Sequence, residues 1–326
     1  SGQGSKAFLG RQVSGEPLSL AAHTGIVNYE PTELVLTVRA GTPLAEIERI
    51  LAEARQLLPF EPPRFDGAGT IGGAVAAGLA GPRRFAAGAV RDFMLGTRLL
   101  NGQGEVLRFG GEVMKNVAGY DVSRLLTGSF GTLGVLLDVS LKVLPAPEEE
   151  RTLQLELAAD DVAALLDRWT AAALPVTAAV HDGDSLRLRL SGSSRALDAA
   201  TAMIGGQQVE AGSFWQDLRD HALPFFRLEA GERLWRIGLP PHTPPPNLPG
   251  RWLSEWGGRL HWLCSSAPIA EVRTATAALQ GQAVLFRGDG DPFPPLDPVS
   301  RQLQRRLKAA LDPNGIFNPG RMYPEL

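Results

Sequence analysis

The chain has 326 residues, 44% hydrophobic and 21% charged, with a formal net charge of −3 at pH 7. That length suits about two domains with a full apolar core. The near-neutral balance, without a basic tract or basic–aromatic stripe, excludes an electrostatic grip on nucleic acid. No stretch is apolar for the roughly 18 to 20 residues that a bilayer span requires.

Cys264 is the only cysteine, which excludes an internal disulfide and any cysteine-ligated cluster built by this chain alone. The five His are scattered, with no His-x-x-x-His or Cys-x-x-Cys spacing, so no structural zinc site is expected. Ser1-Gly2-Gln3-Gly4 opens without a basic, apolar signal segment, and the missing initiator Met leaves room for residues ahead of Ser1. A cytoplasmic protein is expected.

In chain order, Leu34 to Val38 reads as a buried strand, and Pro43 to Arg55 as a helix capped by Thr42 with Pro43 at its first position. Met94 to Leu100 is a strand, turned by Asn101-Gly102-Gln103-Gly104 into a hairpin partner, Glu105 to Phe109. Leu133 to Leu144 is a long apolar strand. Pro145-Ala146-Pro147 and the acidic Glu148-Glu149-Glu150 then mark a domain boundary. Beyond it, strands at Leu153 to Leu157, Val176 to Val180 and Ser185 to Leu190 alternate with helices at Asp160 to Ala172, capped by Asp160 or Asp161, and at Arg195 to Ile204. Units of this size suggest a small α+β layer rather than a second nucleotide fold. Pro240 to Pro249 reads as a loop, and Asp297 to Leu311 as an amphipathic helix stopped by Asp312-Pro313-Asn314-Gly315.

Three glycine clusters carry candidate chemistry. In Gly2-Gln3-Gly4-Ser5-Lys6 successive backbone N–H groups can nest a phosphate oxygen, with Lys6 adding charge. It is not a Walker loop, and a flexible linker would look much the same. Gly67-Ala68-Gly69-Thr70-Ile71-Gly72 has G-x-G-x-x-G spacing, but Pro59, Pro62 and Pro63 occupy the place of the central strand, which excludes a Rossmann site. From Thr70 through Ile71, Gly72 and Gly73 to Gly78, small residues allow backbone to approach a flat, extended ligand, with N–H groups at a helix start facing its phosphates; tight helix packing is the alternative. Gly128-Ser129-Phe130-Gly131-Thr132-Leu133-Gly134 combines a tight turn with room for a cofactor. Each cluster alone would more often be structural.

Taken together and in order, Thr70-Ile71-Gly72-Gly73, Gly88-Ala89-Val90-Arg91-Asp92, Lys115-Asn116-Val117-Ala118-Gly119-Tyr120-Asp121, Gly131-Thr132-Leu133-Gly134 and Asn318-Pro319-Gly320-Arg321 resemble the signature series of FAD-linked oxidases of the vanillyl-alcohol-oxidase (PCMH) type. Gly4-Ser5-Lys6-Ala7-Phe8-Leu9-Gly10-Arg11, the run from Gly25 to Leu34, Gly78 to Arg84 and Phe109 to Asn116 are similar to the E-type subunits of glycolate oxidase complexes. The resemblance spans the chain and is most specific in its first half and at its C-terminus.

It implies an α+β fold: a PCMH-type FAD domain over 1–147, a smaller α+β cap over 148–296 and a C-terminal return over 297–326. It implies that the loop of Gly2, Gly4, Ser5 and Lys6 holds pyrophosphate and that Thr70, Ile71, Gly72, Gly73 and Gly78 continue the cradle. Pro62 would lie on the flavin side, and Gly131, Thr132, Leu133 and Gly134 near the adenosine half. Arg321 is expected to pair with a carboxylate or the flavin, or to lie on the surface. Some relatives bind FAD covalently through a His in the first loop; here no His precedes His23, which implies non-covalent FAD. The implied partners are a homologous D-type FAD subunit and an F-type iron–sulfur subunit, with glycolate the substrate of the complex, peripheral at the inner membrane.

Catalytic relatives carry a His-x-Gly-Asp-Gly-Asn-x-His segment. Here Arg287-Gly288-Asp289-Gly290-Asp291-Pro292-Phe293 keeps only the Gly-Asp-Gly turn, and Phe293 stands where the second His would fall. No evident base or metal set remains, so the catalytic residues stay unassigned. His181, His221, His242 and His261 read as structural. Trp235, Trp252, Trp256 and Trp262 read as core or partner-surface anchors. A redox subunit without the main hydroxy-acid site is the first expectation. A stand-alone D-2-hydroxyacid dehydrogenase and a non-catalytic assembly subunit are the alternatives.

Overall fold

The computed structural model describes residues 1–111 and 121–326; the Lys115 to Tyr120 part of the signature series lies outside them. The chain forms two compact units. The first comprises Ser1–Ala80, Ala89–Ala146 and Pro295–Leu326, and the second Gly81–Gly88 and Pro147–Pro294.

The first unit holds strands β1 (Ile26–Glu30), β2 (Val35–Arg39), β3 (Gln56–Leu57), β4 (Met94–Leu100), β5 (Val106–Gly110), β6 (Val135–Lys142) and β7 (Leu144–Pro145). Five form an antiparallel sheet in the order β1-β2-β6-β4-β5, and β3 pairs with β7. Leu36 and Val38 of β2 and Val139 and Leu141 of β6 are sealed from water, as the apolar patterning of these strands requires. Leu44, Ile47 and Leu51 recur on one face of the helix Leu44–Glu53 and are fully buried, each stabilising by roughly 1.5–3 kcal/mol. The Asn101 carboxamide accepts the N–H groups of Gln103 (3.0 Å) and Glu105 (2.9 Å), which fixes the expected turn between β4 and β5.

The second unit is an eight-stranded antiparallel sheet. Its strands are β8 (Glu149–Glu156), β9 (Val176–His181), β10 (Ser185–Gly192), β11 (Gln207–Val209), β12 (Arg233–Gly238), β13 (Arg251–Glu255), β14 (Leu260–Ser265) and β15 (Gln282–Arg287). They run in the order β11-β8-β10-β9-β13-β14-β12-β15. Leu186, Leu188 and Leu190 of β10 pack with Val162, Leu166 and Trp169 of the helix Ala159–Ala171 and with Leu197 of the helix Ser194–Ile204. Trp235 and Ile237 of β12 pack with Val272 of the helix Ile269–Ala278. The whole is α+β, as expected from the sequence.

Several local expectations are corrected. Thr42 does not cap the first helix: its hydroxyl donates to the Arg39 carbonyl (2.8 Å), and an extended Pro43 holds the cap position. Asp160 and Asp161 sit inside the first turn of their helix rather than capping it, where their charge still suits the positive end of the helix dipole. Glu149 and Glu150, at the expected boundary, already begin β8, and Glu150 takes Arg83 at 2.5 Å and Ser191 at 2.7 Å. The tryptophans do not form a partner surface, because Trp235, Trp256 and Trp262 are buried and Trp252 is half-buried.

Candidate functional site

The site begins where the N-terminal loop lies on Thr70. A Cβ on Gly2 would stand 2.3 Å from the Thr70 hydroxyl, so only glycine permits this approach. The Gln3 side-chain oxygen accepts the Gly69 N–H at 2.6 Å. Lys6 donates to the Pro63 carbonyl at 2.9 Å and lies 5.4 Å from the centre of the Phe65 ring, so its cation pins the loop to the buried Pro62-Pro63 segment. Gly4 has a φ of +75° with open space on its Cβ side, and the Gly4 and Ser5 N–H groups donate to no protein acceptor among the described residues. A turn with positive φ and uncommitted N–H groups fits a phosphate oxygen.

The N–H groups at the start of the helix Ile71–Ala77 do not serve that purpose. Ile71 donates to the Thr42 carbonyl (3.0 Å), Gly72 to the Ala40 carbonyl (2.8 Å) and Gly73 to the Thr70 hydroxyl (3.2 Å). Ile71 is fully buried, and a Cβ on Gly72 would meet the Ala40 Cβ at 2.6 Å. Thus Ile71 and Gly72 lock the helix onto the end of β2. The expectation that this helix start offers its N–H groups to phosphate is corrected.

At the other end of this helix, about 10 Å away for seven residues, Gly128 donates to the Val75 carbonyl (3.0 Å) and Phe130 to the Ala76 carbonyl (2.9 Å). Gly78, with φ +65°, ends the helix, and a Cβ there would press on Gly128 at 3.0 Å. Gly131, with φ +66°, faces Asn318, whose amide donates to the Phe130 carbonyl at 2.8 Å. Thr132 is buried, its hydroxyl spent on Ser129 (2.7 Å). Leu133 is buried, and a Cβ on Gly134 would strike the Leu100 carbonyl at 2.8 Å, so these two belong to the packing beneath the loop.

Arg321 closes the circuit. Its guanidinium donates to the Leu9 carbonyl at 2.7 Å, and its own carbonyl accepts the Arg11 N–H at 2.8 Å. The residue is half-buried, and burial lowers its pKa. It is a brace for the N-terminal loop. The structure therefore joins the loop of Gly2 to Ser5, Thr70, the Ile71–Ala77 helix, the Gly128 to Gly131 turn and the C-terminal return in one ring of contacts. Asn318 and Gln3 were missed as individual site residues, although both stand inside the motifs.

Matches to known families follow the same segments. Residues 1–110 match the family "FAD binding domain", and residues 296–322 match "FAD linked oxidases, C-terminal domain". The glycolate oxidase subunit GlcE of Escherichia coli is 49% identical over 325 residues, covering 100% of this chain and 92% of that one. The chain belongs to the GlcE family of glycolate oxidase subunits. It is an FAD-binding oxidoreductase subunit of a multi-subunit enzyme. The glycolate oxidase subunit GlcD of Bacillus subtilis is 33% identical to this GlcE-family chain over 128 residues, 39% of this chain and 27% of that one. p-Cresol methylhydroxylase superposes with a TM-score of 0.70 at 14% identity, over 94% of this chain and 79% of that one, which shows the shared PCMH-type fold.

The imidazoles of the second unit are committed elsewhere. His181 is buried with its ring bonded to the Leu157 carbonyl (2.8 Å), and His261 bonds Ser254 (2.8 Å) and the Gly258 carbonyl (2.9 Å). Burial pulls His261 down to about 4, against the opposing pull of the Gly258 carbonyl. His221 stacks on Phe226 at 4.0 Å, and burial, then the charges of Arg287 and Arg236, hold it well below its usual range. His242 is exposed beside Asp167 (3.1 Å). The Gly-Asp-Gly turn folds back on its strand, Leu285 donating to the Pro292 carbonyl (2.8 Å) and Arg233 to the Asp289 carbonyl (3.1 Å). Among the described residues, no cluster of three or more His, Cys, Asp or Glu is placed to hold a metal.

Proposed function

We propose that this chain is the E-type FAD subunit of a complex that oxidises glycolate to glyoxylate, binding FAD non-covalently along the ring of contacts just described. The supporting observation is that ring: the loop with uncommitted N–H groups at Gly4 and Ser5 and the turn at Gly128 to Gly131 are held at the two ends of one seven-residue helix. In this reading Gly4 and Ser5 take the pyrophosphate, Thr70 and Gly73 flank it, and Gly78 and Gly131 shape the far end. Pro62 lies on the flavin side. Ile71, Gly72, Thr132, Leu133, Gly134, Lys6 and Arg321 hold those surfaces in place. What FAD supplies when bound is reversible two-electron acceptance.

The main hydroxy-acid site is assigned to a homologous D-type FAD subunit, and onward electron transfer to an F-type iron–sulfur subunit, in a cytoplasmic assembly peripheral at the inner membrane. Support comes from the second unit, whose imidazoles are tied to protein groups or exposed beside Asp167, leaving no poised base there among the described residues. No helix among the described residues is long and apolar enough to cross a membrane.

The test is to purify the chain, record its visible spectrum and add glycolate without oxygen, alone and with the D-type protein. Yellow protein that bleaches only with its partner is the expected result. Colourless protein after loading with FAD, or full bleaching of the chain alone, would overturn the proposal.

A further inference from the structure

The His23 imidazole ties the chain that follows the Gly2 to Ser5 loop to the middle of the five-stranded sheet. Asp138 lies on β6, opposite Arg39 of β2 and Arg98 of β4, so strands on both sides fix its place. Arg98 donates to one oxygen of its buried carboxylate at 2.7 Å. The other oxygen lies 3.2 Å from Nε2 of His23. A carboxylate paired with arginine only accepts, so Nε2 is the protonated nitrogen and donates.

From His23 a short run of contacts leads back to the loop. The His23 N–H donates to the Leu20 carbonyl at 2.9 Å, closing a four-residue turn. The Leu20 N–H donates in turn to the Ser1 carbonyl at 2.8 Å, next to the first glycine of the loop. This turn rests on the residues just past β2. A Cβ on Gly41 would stand 2.0 Å from the Leu20 carbonyl oxygen, and the Gly41 N–H donates to the His23 carbonyl at 3.0 Å. The neighbouring Ala40 carbonyl takes the Gly72 N–H at 2.8 Å. Adjacent residues at one strand end therefore carry both the helix that presents Thr70 and the turn that holds Ser1. Gly2 joins the two, following Ser1 and packing on Thr70.

We propose that His23, through Asp138, is a positioning residue for the loop that takes the FAD pyrophosphate. The inference rests on the reading of Gly4 and Ser5 as its donors. A nest grips phosphate only while its successive N–H groups point to one place. Gly4, at φ +75° with open space on its Cβ side, has little of its own to hold that shape. The turn itself is weakly held, because Ala21 and Ala22 are exposed and water competes for backbone hydrogen bonds there. The bond from His23 to a carboxylate is charge-assisted and is the stronger tether. Without it the turn comes free of β6, Ser1 follows, and a smaller fraction of molecules presents the loop in its binding shape. Apparent affinity for FAD falls by that fraction.

The experiment compares the full chain with His23→Ala, His23→Gln and Asp138→Asn after loading with FAD. Flavin release on dilution gives the dissociation rate, and phosphorus NMR reports on the bound pyrophosphate. His23→Ala should melt like the parent when FAD-free, yet release FAD about tenfold faster, the scale of one hydrogen bond to a charged group. Its phosphorus resonances should move or broaden. His23→Gln, whose amide keeps a donor for Asp138, should recover part of the retention. Adding His23→Ala to Asp138→Asn should cost little more, because the two residues act through one contact. The His23 variants carry the test alone if Asp138→Asn does not fold. Equal release from parent and His23→Ala, unmoved phosphorus resonances, fully additive effects, or release that merely follows a lower FAD-free melting midpoint overturns the inference. A parent that stays colourless after loading overturns the proposed function and takes this inference with it, so the two failures are told apart.

Discussion

The ammonium of Lys308 lies 2.6 Å from a carboxylate oxygen of Asp312, one helical turn further on, and both residues are buried. The same ammonium donates to the carbonyls of Thr132 (2.7 Å) and Phe317 (2.7 Å), so it joins the helix Pro298–Leu311 to the turn before β6 and to the C-terminal return. Removing one partner of a buried pair leaves the other charge uncompensated, at a cost of about 3–5 kcal/mol. Lys308→Met is expected to lose that order of stability in urea unfolding, and to release FAD as the return loosens. A variant within about 1 kcal/mol of the parent would show that the pair contributes little.

Asp312 also sets an acid limit. Burial alone would raise its pKa, but the Lys308 hydrogen bond, the N–H groups of Phe317 and Ile316 and the Lys308 charge outweigh burial and hold the carboxyl below its usual range. Because the folded value lies below the unfolded one of about 3.9, the unfolded chain binds more protons on acidification. The stabilisation is full above about pH 4 and is lost as pH falls through the folded value. Asp312→Asn should therefore trail the parent at pH 7, with the gap narrowing below about pH 4 in denaturant titrations. A gap of constant size across that range would refute the assignment.

His261 also costs stability on acidification, but at higher pH and because the fold favours its neutral ring. Its folded pKa of about 4 lies below the unfolded value of roughly 6.5, so the neutral ring is the form the fold accepts. As pH drops from about 6.5 toward 4 the unfolded chain takes up a proton that the folded chain refuses, and stability falls. In carbon-detected NMR of the imidazoles, His261 should stay neutral at pH 5.5. A titration midpoint near 6.5 would mean that the ring is open to water.

Much of the first unit was legible because its signals are local. The hairpin of β4 and β5 follows from Asn101 to Gly104 between two alternating runs, and the helix Pro298–Leu311 from Asp297 ahead of Pro298. What stayed hidden depends on contacts between residues far apart in sequence. Thr42 looks like a cap, but the chain brings its hydroxyl to the Arg39 carbonyl instead. Asp312 reads only as part of a helix stop, and its pairing with Lys308 depends on the distant Thr132 carbonyl that the same ammonium binds. Arg236 stands in an ordinary strand pattern, and only the fold sets it beside Arg84 and Trp256. Glycine is the hardest case, since one residue type serves backbone curvature, packing and ligand approach.

Arg321 offers a test of the brace between the two chain ends. Arg321→Ala removes the hydrogen bond to Leu9, worth about 1 kcal/mol net for a neutral acceptor and somewhat more for a charged donor. The global melting midpoint of FAD-free protein should move little. Flavin retention should fall about tenfold, because the loop of Gly2 to Ser5 loses its outer support. Gel filtration followed by the ratio of flavin to protein absorbance reads this directly. Equal retention would mean that the loop is set by Thr70 and Gly69 alone.

Gly4 and Gly72 separate cofactor approach from packing. A Cβ on Gly72 would meet the Ala40 Cβ at 2.6 Å and the Ala40 carbonyl oxygen at 2.8 Å, with β2 unable to retreat from its place in the sheet. Gly72→Ala is therefore expected to cost about 1–3 kcal/mol of stability through overpacking. The molecules that remain folded should bind FAD with nearly parental affinity, since the Gly72 N–H already belongs to Ala40. Gly4→Ala meets open space but must hold φ near +75°, a strain of about 1–2 kcal/mol for a residue with a Cβ. The exposed loop relieves that strain by changing conformation, which withdraws the Gly4 and Ser5 N–H groups from a phosphate. Gly4→Ala should thus melt like the parent when FAD-free and bind FAD at least tenfold more weakly. If instead Gly72→Ala loses the flavin at full stability while Gly4→Ala keeps it, the phosphate site lies at the start of the Ile71–Ala77 helix and the loop is only a strap.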